Sequence, residues 1–201
     1  MRLLVATHNA HKLRELSRML PGVNLDGLDP DTELPPEDGD TYEANALIKA
    51  RAVAHATGRA TVGEDSGIEA EALGGAPGVR SARFAAHGEA NAADAENLAK
   101  LVREAPAGSR LRYVCVIAYL DPATGVERLF RGECEGHMAA AVGGDGGFGY
   151  DPVFVPSSGP GDQTMAELSD EQKDAVSHRG KAARELLALL KDAGRCASQS
   201  A

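Results

Sequence analysis

Two kinds of apolar run alternate along this chain. Short, nearly continuous runs at residues 3–6 and 111–120 read as buried strands, and 126–138 contains a strand returning after the turn Asp121-Pro122-Ala123-Thr124-Gly125, so the pair forms an antiparallel hairpin. A weaker strand covers 23–28, and Thr61-Val62 is the end of another. Between them, apolar positions recur at helical spacing. Leu13, Leu16, Ser17 and Leu20 share one face before Pro21-Gly22 stops the helix. A second helix covers about 41–57, with Asp40 and Glu43 at capping-box spacing, a stripe at Ala44, Leu47, Ile48, Arg51 and Ala54, and Gly58 at its end. A third covers 91–104 with Leu98, Leu101 and Val102 inward. Ser169 and Gln172 have capping-box spacing for a short helix; Ser177-His178-Arg179-Gly180 interrupts it, and the last helix, about 181–192, carries Leu186, Leu187 and Leu190. Strands alternating with helices imply an α/β fold. We read residues 1–193 as one α/β domain, open to division into two lobes, and 194–201 as a frayed tail.

Composition narrows the function classes. In 201 residues, 43% are hydrophobic and 25% charged, ordinary for a globular protein, while aromatics are only 4% and Trp is absent, so aliphatic residues fill the core. The formal net charge of −9 argues against nucleic acid or an anionic membrane as a main partner. The three cysteines, Cys115, Cys134 and Cys196, form no CxxC pair and indicate neither a zinc site nor a disulfide framework. No run approaches transmembrane length and Leu3-Leu4-Val5-Ala6 is too short for a signal peptide, so a cytoplasmic protein is expected.

Five places hold candidate chemistry. Thr61-Val62-Gly63-Glu64-Asp65-Ser66-Gly67-Ile68 reads as a strand end entering an acidic turn; it is either a polar turn with solvated acids or a site in which a cation sits between neighbouring carboxylates. Oxygen-only ligands favour a hard ion, Mg²⁺ before Zn²⁺. The acidic loop 29–40 offers Glu37 as a further ligand. Thr7-His8-Asn9-Ala10-His11-Lys12 joins a strand to a helix N-terminus, a place that either caps the helix or binds an anion on free N–H groups, with Lys12 adding charge; His8 and His11 read as turn residues rather than metal ligands. Asn45 and Lys49 lie one turn apart and share a helix face, directed to the site or to solvent. The loop Gly143 to Pro152 contains GxGxxG at Gly144, Gly146 and Gly149, but a strand follows it, so a dinucleotide-binding reading fails on context. Phe148 in that loop either packs at a strand entry or lies against a planar ligand. No P-loop GxxxxGK[ST] occurs, which disfavours the common ATPase and GTPase class.

Five motifs in order, Thr7-His8-Asn9-x-x-Lys12, Glu64-Asp65-Ser66-Gly67, Gly74-Gly75-Ala76-Pro77-Gly78, Gly146-Gly147-Phe148-Gly149-Tyr150-Asp151-Pro152 and Ser177-His178-Arg179-Gly180, resemble the inosine triphosphate pyrophosphatase family, the non-canonical purine NTP pyrophosphatases. The resemblance covers about residues 1–192. It implies an α/β fold with a long mixed β-sheet flanked by helices, two lobes around a central active-site cleft, and usually a homodimer. It implies Mg²⁺-dependent hydrolysis of ITP, dITP and XTP to the monophosphate and pyrophosphate. Carried over by motif, Asp65 is the catalytic base, and Glu37 and Asp65, with Glu64, hold the metal. Thr7, His8, Asn9, Ala10, His11 and Lys12 bind the triphosphate, with Ser66 beside them. Phe148, Gly149, Tyr150, Asp151, Lys173, His178 and Arg179 bind the base and nucleotide. Glu64 stands where bacterial members often carry Asp; it keeps the charge and reaches further. The residues agree with that chemistry, since cleaving a phosphoanhydride with water needs charge neutralisation and an oriented nucleophile.

Overall fold

Buried aliphatic side chains on the first strand set the frame. β1 (Arg2–Val5) carries Leu3, Leu4 and Val5, all buried, and it is flanked on both sides by parallel strands: β2 (Asn24–Asp26) on one and β3 (Thr61–Ala70) on the other. The remaining strands are β4 (Arg110–Asp121), β5 (Val126–Met138) and β6 (Phe154–Pro156). Together they form a six-stranded sheet in the order β2-β1-β3-β4-β5-β6, with β6 antiparallel to β5, so the sheet is mixed as expected. The computed structural model describes residues 1–86 and 91–199, with side chains to residue 193. Among these residues no helix is long and apolar enough to cross a membrane.

The helices are α1 (Ala10–Met19), α2 (Tyr42–Thr57), α3 (Asp94–Glu104), α4 (Asp170–Val176) and α5 (His178–Gln199). Side chains beyond residue 193 in the segment read as a tail, and its last two residues, lie outside the described part. The chain divides into two compact units. The first comprises Met1–Asp65, Val116–Arg131 and Arg179–Ala201; the second comprises Ser66–Cys115 and Gly132–His178. In the second, a core of Ile68, Leu101, Leu111, Tyr113, Phe154 and Met165 is buried, each large side chain worth roughly 1.5–3 kcal/mol of transfer from water.

The local reading was correct in kind and wrong in several faces. Glu64-Asp65-Ser66-Gly67 does not form a turn: β3 continues through it to Ala70, because Glu64 and Asp65 have buried cationic partners, Arg179 and Lys49, that let the strand run on. Thr41, not Asp40, caps α2 by accepting the Ala44 N–H, and Glu43 pairs with Arg131 instead. The buried face of α2 is Tyr42, Asn45, Ala46, Lys49, Ala50, Val53 and Ala54, so Ala54 of the expected stripe is inward, whereas Arg51 is exposed and bound to Glu127. Apolar spacing missed this face because two of its members are polar. Val102 on α3 is exposed and Asn97 takes its inward place, its side chain accepting the Ala85 N–H and donating to the Ala82 carbonyl. On α1, Ser17 faces solvent and Glu15 is buried. Finally, only Ser177 breaks the C-terminal helices. Its extended backbone (φ −66°, ψ 154°) ends α4, and His178, Arg179 and Gly180 form the first turn of α5.

One glycine sets the distance from α2 to the sheet. A Cβ on Gly63 would run into the Ala46 carbonyl and lie 2.8 Å from the Ala50 nitrogen, so only glycine lets this helix approach β3 so closely. Gly63→Ala is expected to lower stability by about 1–3 kcal/mol through overpacking, read as a reduced urea midpoint; an unchanged midpoint contradicts the close approach.

Candidate active site

The sheet order places the sequence-predicted acids at a point where the chain reverses direction. From β1 the chain leaves through α1 to β2 on one side, then through α2 to β3 on the other. Crevices at such a reversal, outside the carboxyl ends of parallel strands, are where open α/β sheets bind ligands. The register pairs Val5 with Val62, so Glu64 and Asp65 run alongside the turn that begins at Thr7. That turn is shaped by its own side chains. Asn9 caps α1, its Oδ1 accepting the His11 and Lys12 N–H groups at 2.9 and 3.2 Å, and the Thr7 hydroxyl accepts the Asn9 N–H at 3.1 Å. Ala10 opens the helix. His8 Nε2 lies 2.8 Å from the Thr32 carbonyl, and His11 Nδ1 lies 2.7 Å from an Arg14 guanidinium nitrogen.

Neighbouring side chains on a strand point to opposite faces of the sheet, and the two acids have different partners accordingly. Glu64 is 1% exposed. Its Oε1 accepts from Arg179 at 3.1 Å and its Oε2 lies 3.0 Å from the Lys12 ammonium. Burial alone would push its carboxyl up, but Arg179, Lys12 and Lys49 together hold it well below the usual carboxylate range. Conversely, burial acts to lower Lys12, and the Glu64 charge overrides it so that Lys12 is raised. Arg179 also donates to Glu15 at 2.5 Å, completing a buried set drawn from α1, β3 and α5.

Asp65 has its partners on α2. Its Oδ2 accepts from Asn45 at 3.2 Å, and its Oδ1 lies 3.6 Å from the Lys49 ammonium, which also pairs with Glu37. Asn45 accepts the Gly39 N–H as well, tying the acidic loop to the same helix. Burial raises Asp65 above the ordinary range, with Glu37 and Glu64 adding to the rise and the two lysines opposing it. Among the described residues no group of three or more His, Cys, Asp and Glu gathers as a metal site. The expected set of Glu37, Glu64 and Asp65 is therefore not brought together as one cluster. Both Glu64 oxygens are engaged by cations, while Glu37 and Asp65 share one.

The second unit holds the remaining candidates. Asp151 is 3% exposed; its Oδ2 accepts from Lys173 at 2.6 Å and from the Phe148 N–H at 2.8 Å. The Lys173 ammonium stands 5.4 Å from the centroid of the Phe148 ring. Gly147 makes this loop possible: its φ is +70°, and a Cβ there would collide with the Asp151 carboxylate and lie 2.9 Å from Lys173 Nζ. The Gly149 N–H donates to Asp94 and the Tyr150 hydroxyl to the Ser81 carbonyl, with the phenol pushed up by burial and by Asp94. His178 is buried, its ring stacked on Tyr113. Ser66 is half-buried on β3. Arg179, next in sequence to His178, is 2% exposed, and its guanidinium pairs with Glu15 and Glu64.

Sequence reasoning missed Glu15, Asp94 and Tyr113. Glu15 carried a signal, an acid next to Leu16 on the inward face of α1. Tyr113 carried none, since it sits in an apolar strand like any core aromatic.

Cutting one partner from the buried network should cost far more than losing a surface pair. Glu15→Ala leaves Arg179 buried and under-compensated, and is expected to destabilise by about 3–5 kcal/mol. Adding Arg179→Met should recover part of that loss in urea unfolding, and full additivity of the two changes contradicts the pairing.

Comparison with known proteins agrees with this architecture. The model of the Ham1 family matches residues 3–189. A curated relative named dITP/XTP pyrophosphatase from Symbiobacterium thermophilum is 47% identical over 192 residues, 94% of each chain. Another of the same name from Nocardia farcinica is 48% identical over 198 residues, again 94% of each. The solved structure of a HAM1 protein from Coxiella burnetii superposes with a TM-score of 0.78 at 34% identity, covering 96% of this chain and 99% of that one. The resemblance drawn from the five motifs is borne out over nearly the whole length, and the chain belongs to the Ham1 family.

Proposed function

We propose that this protein hydrolyses non-canonical purine nucleoside triphosphates, ITP, dITP and XTP, to the monophosphate and pyrophosphate, removing them from the nucleotide pool. The observation that carries the reading is the buried carboxylate Asp65, held by Asn45 and Lys49 beside Glu37, on the strand next to the β1–α1 turn. The names of the curated relatives support the substrate class. The resemblance to the family adds a homodimer as the working form, and we place the protein in the cytoplasm.

Mg²⁺ fits the donor set. Glu37 and Asp65 offer oxygen only and already share a cation, the Lys49 ammonium, and Mg²⁺ is usually held by one or two carboxylates with water and substrate phosphate completing its shell. We assign these two acids to it and give Glu64 the task of fixing Lys12 and Arg179. Bound Mg²⁺ supplies a Lewis acid that draws charge from phosphate oxygens. The chain's own residues do the rest. The turn from Thr7 to Lys12 binds the triphosphate. Asp65 accepts a proton from the attacking water; burial makes it a stronger base than a solvated carboxylate. The anhydride between the α- and β-phosphates breaks, and one water is consumed. In the second unit, Phe148 offers a flat face and Lys173 a donor to the 6-oxygen of hypoxanthine or xanthine. Adenine presents an amino group there and leaves that donor unpaired, at about 1–3 kcal/mol for a buried group.

Measuring kcat/KM for ITP, XTP and ATP with Mg²⁺, and again after exhaustive chelation, tests the reading. ITP and XTP should lead ATP by at least about tenfold, the worth of one unpaired donor. Chelation should abolish turnover, with Mg²⁺ or Mn²⁺ restoring it and Zn²⁺ giving little. Equal rates on ATP contradict the base assignment, and full activity without metal contradicts the role of Glu37 and Asp65.

A further inference from the structure

Tyr113 touches two of the residues assigned to the purine base, and neither contact is explained by core packing alone. Its hydroxyl donates to Asp151 Oδ1 at 3.2 Å, while Oδ2 of the same carboxylate takes Lys173 and the Phe148 N–H. Donors on both oxygens fix the plane of the carboxylate, and with it the positions of the Lys173 ammonium and the Phe148 backbone. The ring of Tyr113 stacks on His178 with centroids 4.5 Å apart and planes 8° from parallel. Its ring also lies 4.5 Å from that of Phe154, which holds it in the core of the second unit. Tyr113 is only 6% exposed. A phenylalanine would fill the same volume, so the hydroxyl is the informative atom: buried among apolar neighbours, it is directed at an ionic cluster.

We propose that Tyr113 is a positioning residue for base recognition, its hydroxyl orienting the Asp151–Lys173–Phe148 cluster and its ring setting the plane of His178. The proposal rests on the base-binding role given above to those residues. Tyr113 itself touches no reacting atom. It acts through groups that meet the base, so its loss weakens purine binding and selectivity while leaving handling of the phosphates intact.

The test compares Tyr113→Phe, which keeps the stack and deletes the hydroxyl, with Tyr113→Leu, which deletes both. Three readouts are taken: kcat and KM for ITP and ATP, inhibition by inorganic tripolyphosphate as a base-free ligand, and the NMR shifts of the His178 ring protons. For Tyr113→Phe, KM for ITP should rise about tenfold, the value of one hydrogen bond to a charged group, with kcat little changed. Tripolyphosphate inhibition and the His178 shifts should stay at wild-type values. For Tyr113→Leu, KM should rise further, the ITP-over-ATP preference should shrink, and the ring-current displacement of the His178 protons should vanish. A wild-type KM and preference in Tyr113→Phe overturns the hydroxyl's role. A parallel loss of tripolyphosphate inhibition in both variants assigns Tyr113 to stability alone. If the wild-type protein turns over ITP and ATP equally, the base reading fails first, and the proposal with it.

Discussion

Putting two carboxylates inside β3 is the constraint that organises the first unit. A buried acid is tolerated only when paired and hydrogen-bonded. Glu64 and Asp65 are adjacent in sequence, yet a strand turns them to opposite faces, so each is bonded by different partners. Glu64 draws on Lys12 from α1 and Arg179 from α5; Asp65 draws on Asn45 and Lys49 from α2. Three helices are thereby positioned around one strand by charge as well as by packing. Gly63 completes the arrangement, because without a side chain there α2 comes close enough to bring Asn45 and Lys49 to Asp65.

The two acids differ in electrostatic condition, and the difference reads as a division of labour. Glu64 is held well below the usual range by three surrounding cations and stays ionised, a fixed counter-charge. Asp65 is raised by burial, which the two lysines offset only in part, the condition that the base role proposed for it requires. The second unit repeats the logic on a smaller scale, with Asp151 gathering Lys173, Tyr113 and the backbone of a glycine loop that only Gly147 can shape.

Much of this was legible in the chain. The strands from aliphatic runs, the Ser169 capping box and the family itself followed from local pattern. The errors have a common cause. Periodicity detects apolar faces, and the faces that matter here are partly polar: Asn45 and Lys49 on α2, Asn97 on α3, Glu15 on α1. An acidic Glu64-Asp65-Ser66-Gly67 stretch looks like a turn until its neutralising partners, as distant in sequence as Arg179, are known. Tyr113 was invisible for the converse reason, since nothing local separates a core aromatic from one whose hydroxyl serves a carboxylate.

The central claim is that Glu64 is structural and Asp65 chemical. Thermal unfolding of Glu64→Gln and Asp65→Asn at neutral pH, paired with ITP turnover, addresses it directly. Replacing Glu64 takes a buried counter-charge from both Lys12 and Arg179 and should destabilise by about 3–5 kcal/mol. Asp65 has a raised folded-state pKa, so above that value its ionised form weakens the fold. Asp65→Asn relieves this, and the variant should unfold at or above the wild-type temperature while losing about 10²–10⁴-fold in turnover. The opposite pattern, a stable Glu64→Gln together with a destabilised but active Asp65→Asn, would contradict the account.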